Sequence, residues 1–142
     1  MEREKAIDLS PKQVYNRLTV RIGLTMKLTE ELLTKIVDTI VREADPEQVY
    51  LFGSYARGQA TEDSDLDLLI VEKDDFGPEK SRRSEMGRLW RALAGYRVPK
   101  DILVFTTDEI ARWRDSKYHV IAYALKEGKL LYERPGTGRR AA

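Results

Sequence analysis

The chain has 142 residues, is 42% hydrophobic and carries 25 Lys+Arg against 24 Asp+Glu, a net charge of +1. That length supports one domain with a proper core and not two ordinary ones, and the balanced charge gives no global electrostatic case for nucleic acid or an anionic membrane. With no cysteine, disulfide scaffolds, thiolate metal sites and cysteine nucleophiles are excluded, so any metal must be held by oxygen.

In chain order, MEREKAIDLS has no apolar stretch of the kind a signal peptide carries, and no apolar run reaches the length of a membrane span, so the expected address is the cytoplasm. Ser10-Pro11 predicts a helix start, with Val14, Leu18 and Ile22 at spacing four until Gly23. A second helix is predicted from Thr29, its stripe of Leu32, Leu33, Ile36, Val37, Ile40 and Val41 stopping before Asp45-Pro46. Gln48 to Phe52 reads as a strand, Ser54 to Arg57 as a helical turn, and Asp65 to Val71 as a second strand. KDDFGP closes a turn, and Met86, Leu89, Trp90 and Leu93 predict a helix over Glu79 to Ala94. Pro99 to Phe105 is a third strand, followed by short helices near 108 to 115 and 117 to 127, a C-cap at Gly128 and a last strand over Lys129 to Tyr132. The organisation expected is a helical extension over residues 1 to 25, one domain over 26 to 133 and a loose tail over 134 to 142.

Three places in this frame carry chemistry. At Gly53-Ser54 a strand runs into a helical turn without a spacer, which lets the backbone approach an anion and offers N–H and hydroxyl donors, with Arg57 one turn later as a fork. Taken alone, the same residues make an ordinary capped turn. Asp65 and Asp67 stand two apart on a strand, on one face and about 6.6 Å apart along it, sharing that face with Leu69 and Val71. Two carboxylates held about 4 Å apart at an effective dielectric near 20 repel by about 4 kcal/mol, which a divalent cation or a proton relieves. An isolated Asp-x-Asp is equally a hydrated strand entrance. Asp101 opens another apolar strand, and if that strand lies beside the second, three acids can surround hard cations such as Mg²⁺. His119, the only histidine, falls on a predicted helix and reads as a core or partner-facing residue and not a ligand.

Gly53-Ser54, ten intervening residues and Asp65-x-Asp67 resemble the signature of the DNA polymerase β nucleotidyltransferase superfamily, and of its branches the minimal nucleotidyltransferase family most. The likeness spans about residues 29 to 133, including GSYARG, SDLDLLIV, the third acidic strand and EGKLLYE. It implies an α/β (α+β) fold, a single nucleotidyltransferase domain with a small mixed β-sheet and helices packed on it. It also implies that Asp65 and Asp67 bind two Mg²⁺ ions, that Asp101 completes the site and favours deprotonation of an acceptor hydroxyl, and that Gly53 and Ser54 hold the triphosphate of ATP with Arg57 auxiliary. Such proteins pair with a helical HEPN toxin in toxin–antitoxin modules and transfer AMP to one of its tyrosines.

Two other functions fit the same residues. One is an inert antitoxin that neutralises its partner by contact, with Tyr118, Ile121, Ala122 and Leu125 as an apolar docking face that is equally core. The other is transfer to a small molecule, at the interface of a homo-oligomer. The intact Gly-Ser and three acids speak against an inert module.

Overall fold

The structure is a computed structural model and describes residues 28–73, 76–77 and 80–136. The helix expected over Ser10 to Gly23, and the tail beyond residue 136, lie outside the described residues.

Thr29 caps the first helix, α1 (Glu30–Ala44), its hydroxyl accepting from the Leu32 N–H at 3.1 Å, with Glu30 and Glu31 in the first turn and Arg42 in the last. Asp45 ends it in the left-handed conformation, φ 45°, donating its N–H to the Val41 carbonyl, and Pro46 prevents continuation. Ile36 and Ile40 are fully buried, each burial contributing about 1.5–3 kcal/mol, while Leu33 and Val41 are only half-buried. Thr39, outside the predicted stripe, is buried with its hydroxyl satisfied by three partners, the Lys35 carbonyl, the Tyr96 hydroxyl and the Arg42 guanidinium.

The remaining elements are β1 (Gln48–Phe52), α2 (Gly53–Ala56), β2 (Leu66–Glu72), α3 (Arg82–Leu93), β3 (Lys100–Thr106), α4 (Thr107–Trp113), α5 (Val120–Glu127) and β4 (Lys129–Glu133). They form one four-stranded sheet in the order β3-β2-β1-β4, antiparallel at β1–β2 and β1–β4 and parallel at β2–β3, where α3 makes the crossover. The fold is therefore the small mixed α/β sheet with packed helices that the sequence implies. Each element is displaced from its predicted span by a few residues at most, as the caps decide. Ser81 caps α3 by accepting from Ser84, and His119 caps α5, its Nδ1 accepting from the Ile121 N–H at 3.1 Å.

The two faces of the sheet are covered separately. Leu66, Leu68, Ile70, Ile102 and Val104 pack with α1 and α3 through Ile36, Ile40, Leu89 and Leu93. Phe52, Leu69 and Val71 pack with Ile110 of α4 and Ile121 and Ala124 of α5. Asp67 shares the parity of Leu69 and Val71, which puts the acidic residues on the α4–α5 side, as the strand alternation predicts.

Gly128 is the C-cap of α5, as expected, with φ −77° and ψ 161°; it is glycine for space, since a Cβ would lie 2.0 Å from the Ala124 carbonyl oxygen and 3.0 Å from that of Leu51. Of the two readings of Tyr118, Ile121, Ala122 and Leu125, docking face and core, Ile121 takes the core, with Ala122 and Leu125 half-buried. Ile121 is fully buried in the core, and Tyr118 precedes the helix and is 90% exposed. His119 lies outside the helix, stacked on Trp113 at 4.8 Å and edge-on to Phe105.

Candidate active site

The parallel register of β2 and β3 sets Asp67 directly opposite Asp101, and the antiparallel register of β1 and β2 sets Phe52 opposite Asp67. The chain then turns at Gly53, whose φ of +74° is open to glycine and strained for other residues. A Cβ at Gly53 would lie 2.1 Å from Asp67 Oδ2. The phosphate-loop candidate and one carboxylate of the metal candidate are thus in contact across two strands. Ser54 is half-buried in α2, and its carbonyl accepts the Gln59 N–H at 2.9 Å, closing the turn.

Asp65 lies one residue before β2, half-buried, where the Leu66 N–H donates to the Pro99 carbonyl and ties the entrance of β2 to that of β3. Burial, and after it the Asp65 carboxylate, pushes the Tyr55 phenol above its ordinary pKa. Among the described residues no three carboxylate or imidazole groups are gathered into a ready metal cage. Paired carboxylates with room for substrate phosphates still match the way Mg²⁺ is held, through one or two carboxylates, phosphates and water, and the donor set is all oxygen.

Arg57, the C-cap of α2, is turned to protein partners: its Nη1 donates to Glu127 Oε1 at 3.0 Å and its Nε to Gln59 Oε1 at 3.2 Å. Neither partner was evident from sequence. Glu127 is 70 residues away, and no local pattern announces the pair. The clefts of about 370 Å³, lined by Lys35, Asp38, Val41, Arg42 and Tyr96, and about 290 Å³, lined by Ala44, Asp45, Glu72, Lys73, Lys80 and Arg134, include none of the candidate residues.

The sequence matches the family described as "Polymerase beta, Nucleotidyltransferase" over residues 34–136. The chain belongs to this family. A protein adenylyltransferase of Thermococcus cleftensis is 35% identical over 77 residues, 53% of this chain and 74% of that protein. A Methanocaldococcus jannaschii protein, provisionally named a protein adenylyltransferase, is 30% identical over 74 residues, 52% of this chain and 74% of its own. The crystal structure of a provisionally assigned nucleotidyltransferase from Sulfolobus solfataricus superposes with a TM-score of 0.51, covering 92% of this chain and 94% of that one at 22% identity, a likeness of fold. The nucleotidyltransferase is of the minimal kind, with a nucleotide as substrate. Among its described residues no helix is long and apolar enough to cross a membrane.

Proposed function

We propose that this nucleotidyltransferase transfers AMP from ATP to a hydroxyl of a partner protein, a tyrosine of a HEPN toxin, and so acts as an antitoxin. The observation that carries the chemistry is the Asp67–Asp101 register with Gly53 against Asp67. Asp65, Asp67 and Asp101 would hold two Mg²⁺ ions, and Gly53, Ser54 and Arg57 the triphosphate. When bound, such ions neutralise phosphate charge and lower the pKa of an attacking hydroxyl. Asp101 draws the proton from the acceptor oxygen, which forms a bond to the α-phosphorus while the bond to pyrophosphate breaks. Ser54 and Arg57 hold the β- and γ-phosphates in line and receive the charge that develops on the leaving group.

The protein acceptor is supported by the names of the two archaeal relatives and by the family resemblance of GSYARG and SDLDLLIV. In the test, the purified chain is mixed with its co-encoded partner, ATP and Mg²⁺, and the partner is weighed by mass spectrometry. An AMP adduct on a tyrosine is expected with the wild type and none with Asp65→Asn. Neutralisation of the partner with no mass change would establish the inert antitoxin instead, and turnover on a small molecule without any protein would establish the third reading.

A further inference from the structure

Arg57 is gripped from two sides, and the two grips differ in what anchors them. Gln59 belongs to the same turn as Arg57, its N–H donating to the Ser54 carbonyl. Glu127 does not: it is the last residue of α5, and the next residue, Gly128, sits so close to the Ala124 and Leu51 carbonyls that no side chain fits there. The end of α5 is thereby seated on β1 two residues before Gly53. The Glu127 backbone is consequently held beside the strand that carries the phosphate turn. Arg57 has a side chain 42% exposed, and a long exposed side chain loses rotamer freedom when a ligand orders it.

We infer that Glu127 is a positioning residue for Arg57, holding the guanidinium over the Gly53-Ser54 turn so that its fork meets the β- and γ-phosphates already oriented. The inference rests on the proposed role of Arg57 as a phosphate ligand. Ordering the side chain in advance moves its entropy cost from binding to folding, and the carboxylate leaves the planar fork with the geometry an anion needs. The opposite effect, in which the carboxylate competes with the phosphates for the fork, predicts the reverse sign and is separated below.

Dissociation constants for Mg²⁺·ATP and for AMP, with melting temperatures, are measured for the wild type, Arg57→Ala, Glu127→Ala, Glu127→Gln and the Arg57→Ala/Glu127→Ala pair. Arg57→Ala is expected to weaken ATP by about tenfold or more, and Glu127→Ala by about threefold or more. Glu127→Gln recovers part of that loss, because its amide oxygen still accepts from the guanidinium. AMP lacks the outer phosphates, so its affinity stays unchanged in all variants. The double variant is no worse than Arg57→Ala alone, since Glu127 acts through Arg57. Equal losses for ATP and AMP in Glu127→Ala, tighter ATP binding in both Glu127 variants, or additive losses in the double variant would each overturn the inference. An effect of Arg57→Ala with none from Glu127 overturns the inference alone; unchanged ATP affinity in Arg57→Ala overturns the role of Arg57 and the inference with it.

Discussion

Asp67 and Asp101 face one another across the parallel pair of β2 and β3, each the second residue of its strand. Two like charges at matching heights on neighbouring strands gain from a shared cation what either would lack alone. Replacing either with Asn is expected to lower nucleotidyl transfer by about a hundredfold or more while the melting temperature holds or rises, because one like charge is removed. Pyrophosphate release and thermal melts on the same preparations check this, and near-wild-type transfer in Asp101→Asn would remove that residue from the site.

Gly53 separates two costs that are often confounded. Gly53→Ala meets both a left-handed backbone and the Asp67 carboxylate, whereas Gly58, at φ +70°, has open space around the added methyl. Gly58→Ala should lose about 1–2 kcal/mol from backbone strain and keep transfer. Gly53→Ala should lose more stability than that and transfer as well, because Asp67 must move. Chemical denaturation and turnover of the two variants give the comparison.

Thr106 and Glu109 form a capping box at the start of α4, and Arg82 pairs with the same carboxylate. Burial pushes the Glu109 carboxyl up, but the Thr106 N–H and hydroxyl and the Arg82 guanidinium together hold it below the ordinary carboxylate range. A carboxyl whose folded pKa is depressed stabilises fully above its unfolded pKa and loses that contribution as pH falls through the folded value. Glu109→Ala should therefore cost on the order of 1 kcal/mol at pH 7, with the gap to wild type narrowing below about pH 4. A gap independent of pH would assign the loss to packing of the side chain and not to its charge.

A chain beginning at Met26 should fold and retain transfer, since Thr29 supplies the cap of α1 and the nucleotidyltransferase pattern lies beyond it. Circular dichroism and turnover decide; a truncated chain that does not fold would place the Val14, Leu18 and Ile22 side of the first predicted helix in the core.

Much of this fold was legible in the sequence, for a local reason. Ile36 and Ile40 recur at helical spacing and Leu66, Leu68 and Ile70 at strand spacing, and both patterns report directly which side is buried. The Gly53 turn and the Asp-x-Asp pair were likewise visible because their chemistry is contained in consecutive residues. What escaped was set by tertiary contact. Thr39 is buried by the hydroxyl of Tyr96, 57 positions away, Glu127 finds Arg57 across 70, and Gly128 has the Leu51 carbonyl of β1 beside it as well as the Ala124 carbonyl of its own helix. For the Ile121 face the docking and core readings stayed level, because a short helix with apolar residues on several sides gives no indication of which side meets the sheet.

Strand β3, which carries Asp101, is an outer strand of the sheet, with no further strand beyond it among the described residues. Its side chains alternate between fully covered and half-covered along its whole length. The proposed reaction centre would then stand at the margin of the sheet and not between two flanking strands, so that an acceptor hydroxyl could reach it on a body larger than the catalyst, with selectivity passing to the surface that body presents.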